Sequence, residues 1–305
     1  MARYLTRRAL QSLLVLLGVS FVIFVISRLG GDPVSLMVGP DVQEAEREAL
    51  RRQLGLDAPL YVQYLRFLSG AVRGDFGTSI LAGVPAMNLV LERLPATLQL
   101  AAFALAFAAV VGIPLGVASA IRRNTWLDYV GTGVTLLGQS LPSFWLGILL
   151  ILVLGLQLRL LPISGRGTPL HLVMPGVTLG FSLVAVFARL TRSSMLEVLT
   201  ADYVRTAKSK GLRPRTITIR HEVKNAMIPL VTVMGMSFAT LMGGAVVTEQ
   251  IFAWPGIGRL ALNSIYQRDF PVIQADVLFV SAVVVAMNLL VDVVYTLLDP
   301  RIRYA

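Results

Sequence analysis

The densest positive charge in the chain lies in RTAKSKGLRPRTITIRH, residues 205–221, which holds six Lys and Arg and no acid. A run of this kind pairs with acidic or phosphate groups on a partner or a lipid surface. Other polar candidates are sparse. Asp276 and Asp292 fall near the ends of one apolar stretch, with Asn288 one helical turn before Asp292. Gln139 and Ser140 interrupt another. A carboxylate inside a membrane is what ion-coupled transport requires, and any of these polar side chains could line a water-filled translocation path. Near a helix end the same carboxylate can be a hydrated flank, and polar groups within spans often only hold helices together. Both readings of these five residues stay open.

Catalytic chemistry lacks its parts. The chain has two histidines, His171 and His221, and no cysteine. No HExxH, GxSxG or Cys/His cluster occurs, so no catalytic residue, cofactor-binding residue or metal ligand is assigned. No GxxxxGK[ST] occurs either, so the chain by itself has no cradle for ATP phosphates. It is expected not to be an enzyme.

Of the 305 residues, 55% are hydrophobic and only 14% are charged. A soluble domain carries about 25% charged residues. The expected class is therefore all-α integral membrane protein, with the lipid bilayer as its main solvent. Six segments are long and apolar enough to span, at about 9–26, 97–121, 130–158, 172–188, 225–248 and 272–291. The first follows Arg3, Arg7 and Arg8 but is too long for a signal h-region, so it reads as an uncleaved span. Pro142 and Pro175 can kink the third and fourth. MGGAV at 242–246 suggests close helix packing. The net charge of +10 would point to nucleic acid in a soluble protein. Here it points to orientation, and no nucleic-acid partner is expected. With the N-terminus inside, 16 basic residues fall on cytoplasmic segments and 11 outside, so both termini are placed in the cytoplasm.

The first outer segment, 27–96, is long. PDVQEAEREALRRQLGL has helical spacing with Gly55 as a stop, and APLYVQYLRFLSGAV reads as a second amphipathic helix. Together they form a small cap between spans 1 and 2. On the other side, ADYVRTAKSKG reads as a helix ended by Gly211, and Pro214 starts a second. A loop that only sets topology does not need a helix–Gly–Pro–helix. An elbow of that form is what enters a groove on a partner.

These residues resemble a known family, the inner-membrane permeases of binding-protein-dependent ABC importers in the dipeptide, oligopeptide, nickel and glutathione group. RTAKSKG has the spacing of that superfamily's EAA-xxx-G motif, with Arg205 at the Glu position. GDPV (31–34), GDFGTSI (74–80), LPATLQLA (94–101), SLPSFWLG (140–147), WPGIGRL (254–260), RDFPVIQA (268–275) and DPRIRY (299–304) extend the likeness along the whole chain. The glutathione branch looks most similar. The resemblance implies a type I ABC importer permease fold: a first span with cap (1–95), a core (96–298) with a cytoplasmic elbow at about 200–224, and a tail (299–305). It implies an ATPase-coupling elbow of Arg205, Thr206, Ala207, Gly211, Leu212, Arg213 and His221, and a binding-protein docking role for Glu44, Glu46 and Glu48. The implied partners are a homologous second permease, two cytoplasmic ATPase subunits and an extracytoplasmic substrate-binding protein, in a bacterial inner membrane. Short peptides or glutathione-like molecules are the expected cargo. Nickel chelate, opine or oligosaccharide remain alternatives, and an ion-coupled secondary transporter is a remote one.

Overall fold

The computed structural model describes residues 2–31, 34, 38, 43–53 and 55–298. Asp32 and Pro33 of GDPV and all of DPRIRY lie outside them. Among the described residues the regular elements are helices, with one isolated bridge between Thr78 and Pro85. In hydrocarbon a helix satisfies its own backbone groups, which is why an apolar chain of this composition adopts it.

The helices are α1 (Ala2–Leu29), α2 (Glu44–Gln53), α3 (Leu60–Val72), α4 (Ala86–Ile121), α5 (Trp126–Ser140), α6 (Ser143–Leu150), α7 (Leu170–Leu199), α8 (Asp202–Ser209), α9 (Pro214–Ile217), α10 (Lys224–Gly244), α11 (Val246–Ile251), α12 (Ile257–Gln267) and α13 (Phe270–Leu298). Two π-helical stretches, Ile151–Gln157 and Thr218–Val223, continue α6 and α9. Among the described residues five helices are long and apolar enough to cross a membrane. The expected third span is not one rod. α5 and the helix Ser143–Gln157 meet at a bend of 103°. Pro142 has no N–H for a helix through Ser140, and it holds Leu141 in extended backbone (ψ 122). Pro175, by contrast, stays inside α7. MGGAV marks the end of α10, where Met242 and Ala245 are buried.

The chain forms two compact units. The first comprises Met1–Thr97 and Pro255–Leu289. In it, α3 lies against α1: Tyr64 stacks edge-on with Phe21 and Phe24, at 5.7 and 5.4 Å between ring centres, and its hydroxyl is 2.9 Å from Ser20 Oγ. Three hydrogen bonds, two of them buried, join motifs far apart in sequence. Asp269 of RDFP accepts from Ser79 Oγ at 2.5 Å and from the Ile80 N–H at 3.2 Å, both in GDFGTSI. Thr97 Oγ1 of LPATLQLA accepts the Ile257 N–H of WPGIGRL at 2.9 Å.

The second unit comprises Leu98–Trp254 and Leu290–Ala305. α7 is its inner helix: 56% of its most apolar window is buried, against 17% for α1. α4 and α7 approach at backbone distance through Gly112, Gly116 and Gly180, and Gly176 makes room for the Phe103 ring. A Cβ at Gly116 would stand 2.5 Å from the Ala188 carbonyl oxygen, and one at Gly180 would stand 2.7 Å from that of Ala104. Small residues four apart are the usual means of such contact between membrane helices. α5 is tied to α7 by charge. Arg192 donates to both oxygens of Asp128, at 2.8 and 2.9 Å, and the Asn124 N–H donates a third bond at 3.1 Å.

Asp128 is buried, so removing its partner leaves a carboxylate without compensation. Arg192→Met should destabilise the purified protein by about 3 kcal/mol. The double variant Asp128→Leu/Arg192→Met should recover most of that loss in thermal unfolding. A double variant as weak as the single would assign the loss to packing instead.

Candidate functional site

The elbow is built by α8, a left-handed glycine and α9. Gly211 has φ +71°. Its N–H donates to the Lys208 carbonyl at 3.0 Å, and the Leu212 N–H reaches back to the Ala207 carbonyl at 3.4 Å. This is the paired closure that ends a helix at a glycine. No atom lies near the position a Cβ would take at Gly211, so the backbone angle and not crowding demands the glycine. Arg213 precedes α9, and Pro214 occupies its first turn, where a missing N–H costs nothing.

The two arms pack on each other through Val204, Ala207 and Ile217, with Val198 and Ala201 beside them. Asn225 Nδ2 donates to Tyr203 Oη at 3.2 Å and to the His221 carbonyl at 2.8 Å. The second arm has no break before the membrane. Pro214–Gly243 is one 30-residue helix, carrying the π segment Thr218–Val223 within it. The elbow is therefore continuous with the fifth apolar segment, which carries Pro229 in its interior. A π segment often marks a functional place in a helix.

A cavity of about 280 Å³ opens on the elbow, lined by Tyr203, Thr206, Ala207, Lys210, Leu212 and His221. The structure thus brings together Thr206, Ala207, Leu212 and His221 from the expected set and adds Tyr203 and Lys210. Ala207 is buried and serves the arm-to-arm core. Arg205 lies outside the groove and pairs at 3.6 Å with Asp202, with both side chains mostly exposed. Such a pair adds little stability. Gly211 and Arg213 shape the turn and do not line the groove.

The polar residues of the spans separate. Gln139 and Ser140 are exposed in the second unit at the 103° break, where Gln139 accepts from Arg189 at 3.1 Å. Asp276 is buried, 3% exposed, and so is not the hydrated flank that its place near a helix end allowed. Asn288 is exposed, and the side chain of Asp292 lies outside the described residues. Glu44, Glu46 and Glu48 stand in the first turns of α2, a helix with no buried residue. Glu44 has Arg47 and Arg51 at 3.9 Å. Among the described residues no group of three His, Cys, Asp or Glu is placed to hold a metal ion.

Sequence reading missed Asp128, Arg192 and the glycine pairs of α4 and α7. The pairs carry a signal, GIPLG and GVTLG, each a GxxxG within an apolar run. The ion pair carries none, because its members are 64 residues apart.

Comparison with known proteins decides the family. Residues 112–304 match the family model described as binding-protein-dependent transport system inner membrane component. Residues 1–101 match the model of that family's N-terminal part. The chain belongs to this family. It is 41% identical over 316 residues to the oligopeptide transport system permease protein AppB of Bacillus subtilis, covering all of both chains. It is also 41% identical over 305 residues to the glutathione transport system permease protein GsiC of Escherichia coli, again over the full length of both. Among solved structures it resembles the MetNI methionine ABC transporter, with a TM-score of 0.55 at 20% identity over 68% of this chain and 97% of that one. An amino acid ABC transporter gives 0.51 at 17% identity over 70% and 94%. At these identities the structures establish a common permease fold. The chain is a multi-pass permease subunit of the ABC importer class.

The glycine requirement of the elbow makes a graded prediction. Gly211→Asn tolerates the left-handed angle, Gly211→Ala loses about 1 kcal/mol, and Gly211→Val loses more. Limited trypsin cleavage after Lys208, Lys210 and Arg215 should accelerate from the Asn to the Ala to the Val variant.

Proposed function

We propose that this permease subunit imports short peptides or glutathione-like molecules across a bacterial inner membrane, driven by ATP hydrolysed on partner subunits. The observation that carries the mechanism is the unbroken helix Pro214–Gly243, which starts in the elbow and ends in an apolar span. A partner that grips the groove of Tyr203, Thr206, Lys210, Leu212 and His221 moves that span directly. Two cytoplasmic ATPase subunits fill this role. Each takes one elbow, one from this chain and one from a homologous second permease. Closing of the ATPase pair on ATP draws the elbows together and rocks the spans between inward-open and outward-open states. Both termini and the elbow face the cytoplasm, in keeping with the excess of basic residues there.

The first 95 residues act as anchor and cap, residues 96–298 as the translocating core, and 299–305 as a tail. An extracytoplasmic binding protein delivers cargo to the cap. The charged, solvated helix α2 suits a reversible dock, because surface charge speeds encounter and is screened by salt. Peptide or glutathione cargo is supported by full-length likeness to permeases named for both.

The mechanism is tested with the reconstituted complex in liposomes. Binding-protein-dependent uptake of glutathione or a tripeptide should require ATP inside. Tyr203→Ala and Lys210→Glu should each reduce retention of the ATPase subunits during purification and slow uptake at least tenfold. Uptake that runs on an ion gradient without ATPase subunits would overturn the reading. For the cap, Glu44, Glu46 and Glu48 all replaced by Lys should slow uptake at low binding-protein concentration, with rescue by excess and unchanged basal ATP turnover. Equal loss of basal turnover without rescue would make the cap a brace for the fold.

A further inference from the structure

The turn from α4 to α5 carries two arginines that the fold does not use. Arg122 and Arg123 are both exposed, and among the described residues neither side chain makes an ion pair or a hydrogen bond. The one acid between Glu92 and Glu197 is Asp128. Its oxygens already accept from Arg192 and from the Asn124 N–H, and Arg123 adds only a through-space attraction. Positive charge is therefore left over at this turn. The helix that follows presents an apolar stripe. Trp126, Tyr129, Val130, Leu136 and Leu137 are exposed, and with Gly133 they fall within about 120° of one another around α5. Asp128, Gly131 and Gly138 are buried on the opposite face. Trp126 is 69% exposed and Tyr129 70%. A Cβ at Gly133 would meet nothing within 4 Å, so the stripe is flat at its middle.

The stripe has the length of a lipid chain. From Trp126 to Leu137 the helix rises about 16 Å, against about 15 Å for the hydrocarbon of one leaflet. Soon after Leu137 the helix ends at the 103° bend. The charged end lies at the elbow end of the unit, since Ala120, at the close of α4, packs with Met195 and Ala226. Trp and Tyr beside the arginines combine an apolar body with a polar edge, which suits the headgroup level of a bilayer. A guanidinium takes two oxygens of a phosphate at once.

We propose that the α4–α5 turn and its stripe bind an anionic phospholipid, with the phosphate on Arg122 and Arg123 and one acyl chain along Trp126–Leu137. Charge and length together select this occupant. An anionic lipid supplies the missing counter-charge and a chain of the right reach in one molecule. Bound there, it braces the end of α5 that Asp128 and Arg192 tie to α7. The site is independent of the cargo. The topology proposed above enters only in placing the lipid in the cytoplasmic leaflet.

The test uses the assembled transporter in phosphatidylcholine nanodiscs that contain a trace of photoreactive lipid. The probe is phosphatidylglycerol or phosphatidylcholine with a diazirine midway along one acyl chain, and mass spectrometry locates the adducts. The phosphatidylglycerol probe should label residues 126–137 roughly thirtyfold more than the phosphatidylcholine probe, since each of two basic residues is worth about a factor of five at an anionic headgroup. Arg122→Gln/Arg123→Gln should bring the two probes level. Arg73→Gln/Arg159→Gln, which removes the same charge from exposed positions elsewhere, should leave the preference intact. Excess soluble glycerol phosphate should not reduce labelling. Equal labelling by both probes in the unaltered protein would show that the headgroup is not recognised. Equal loss in the Arg73/Arg159 variant would assign the preference to overall charge. Loss with glycerol phosphate would make the turn a site for soluble phosphate, and no label at 126–137 from either probe would mean that another subunit covers the stripe. Any of these four results overturns the proposal. Because the measurement needs no transport, its failure is separate from failure of ATP-driven peptide uptake in liposomes.

Discussion

The contact of α4 with α7 at backbone distance is the constraint on which the second unit depends. In lipid the two helices gain nothing from hiding apolar side chains, since hydrocarbon surrounds them already. They gain from close packing of atoms, and four glycines remove the side chains that would hold them apart. Once α7 is seated there, its other faces take the remaining elements. Ala108, Val184, Phe187 and Leu230 form one buried cluster, which brings α10 onto α7. Ala120, Met195 and Ala226 form another farther along the same helices. The inner position of α7 thus follows from the small residues on one of its faces.

Polar contacts are few in this unit, and each fixes a place that packing leaves free. Apolar helices slide and rotate against one another at little cost, whereas a bidentate ion pair has one register. Asp128 and Arg192 set α5 against α7 at one end, and Gln139 with Arg189 does so near the 103° break. Arg166 reaches Gln99 at 3.2 Å and lies over the Trp254 ring, while the neighbouring Gly165 N–H donates to the Phe252 carbonyl. The motifs named from sequence therefore act as mutual partners. LPATLQLA supplies Gln99, and WPGIGRL supplies Trp254. SLPSFWLG supplies Gly147, where a Cβ would meet Phe252 and Thr178.

Much of this was legible in the residues because local physics writes it there. Apolar length gave five of the spans, and Gly55, Gly211 and Pro214 marked helix ends by backbone angle and a missing donor. The broken third span was not legible from composition, because the 29 mostly apolar residues 130–158 look alike in one helix or two. Only Leu141-Pro142 carried the break, and Pro175 shows that a proline alone does not decide it. The family motifs were visible as strings, but their pairing was not. Ser79 finds Asp269 across 190 residues, and no period or propensity reports such a contact. The groove on the elbow was half visible. Thr206, Ala207, Leu212 and His221 came from the motif, while Tyr203 and Lys210 enter only when the arms fold together.

Under the coupling role proposed for the elbow, continuity of its second arm with α10 bears on how force enters the membrane. A flexible joint would let the elbow move while the span stayed still. A helix transmits displacement along its axis, because stretching it breaks hydrogen bonds in series. The π stretch Thr218–Val223 lies between the groove and the span, and it keeps the helix unbroken while changing which face each following residue presents. The arm is braced on its other side by Val204, Ala207 and Ile217, and by Asn225 bonding to Tyr203. α8 and α9 therefore move as one body about Gly211. A pull on the groove reaches Met227 and Leu230, which pack in the α4–α7 core cluster, without a loose element between. Under the proposed coupling role, the continuous helix at the elbow delivers displacement and the close glycine packing of α4 and α7 gives it something to move against.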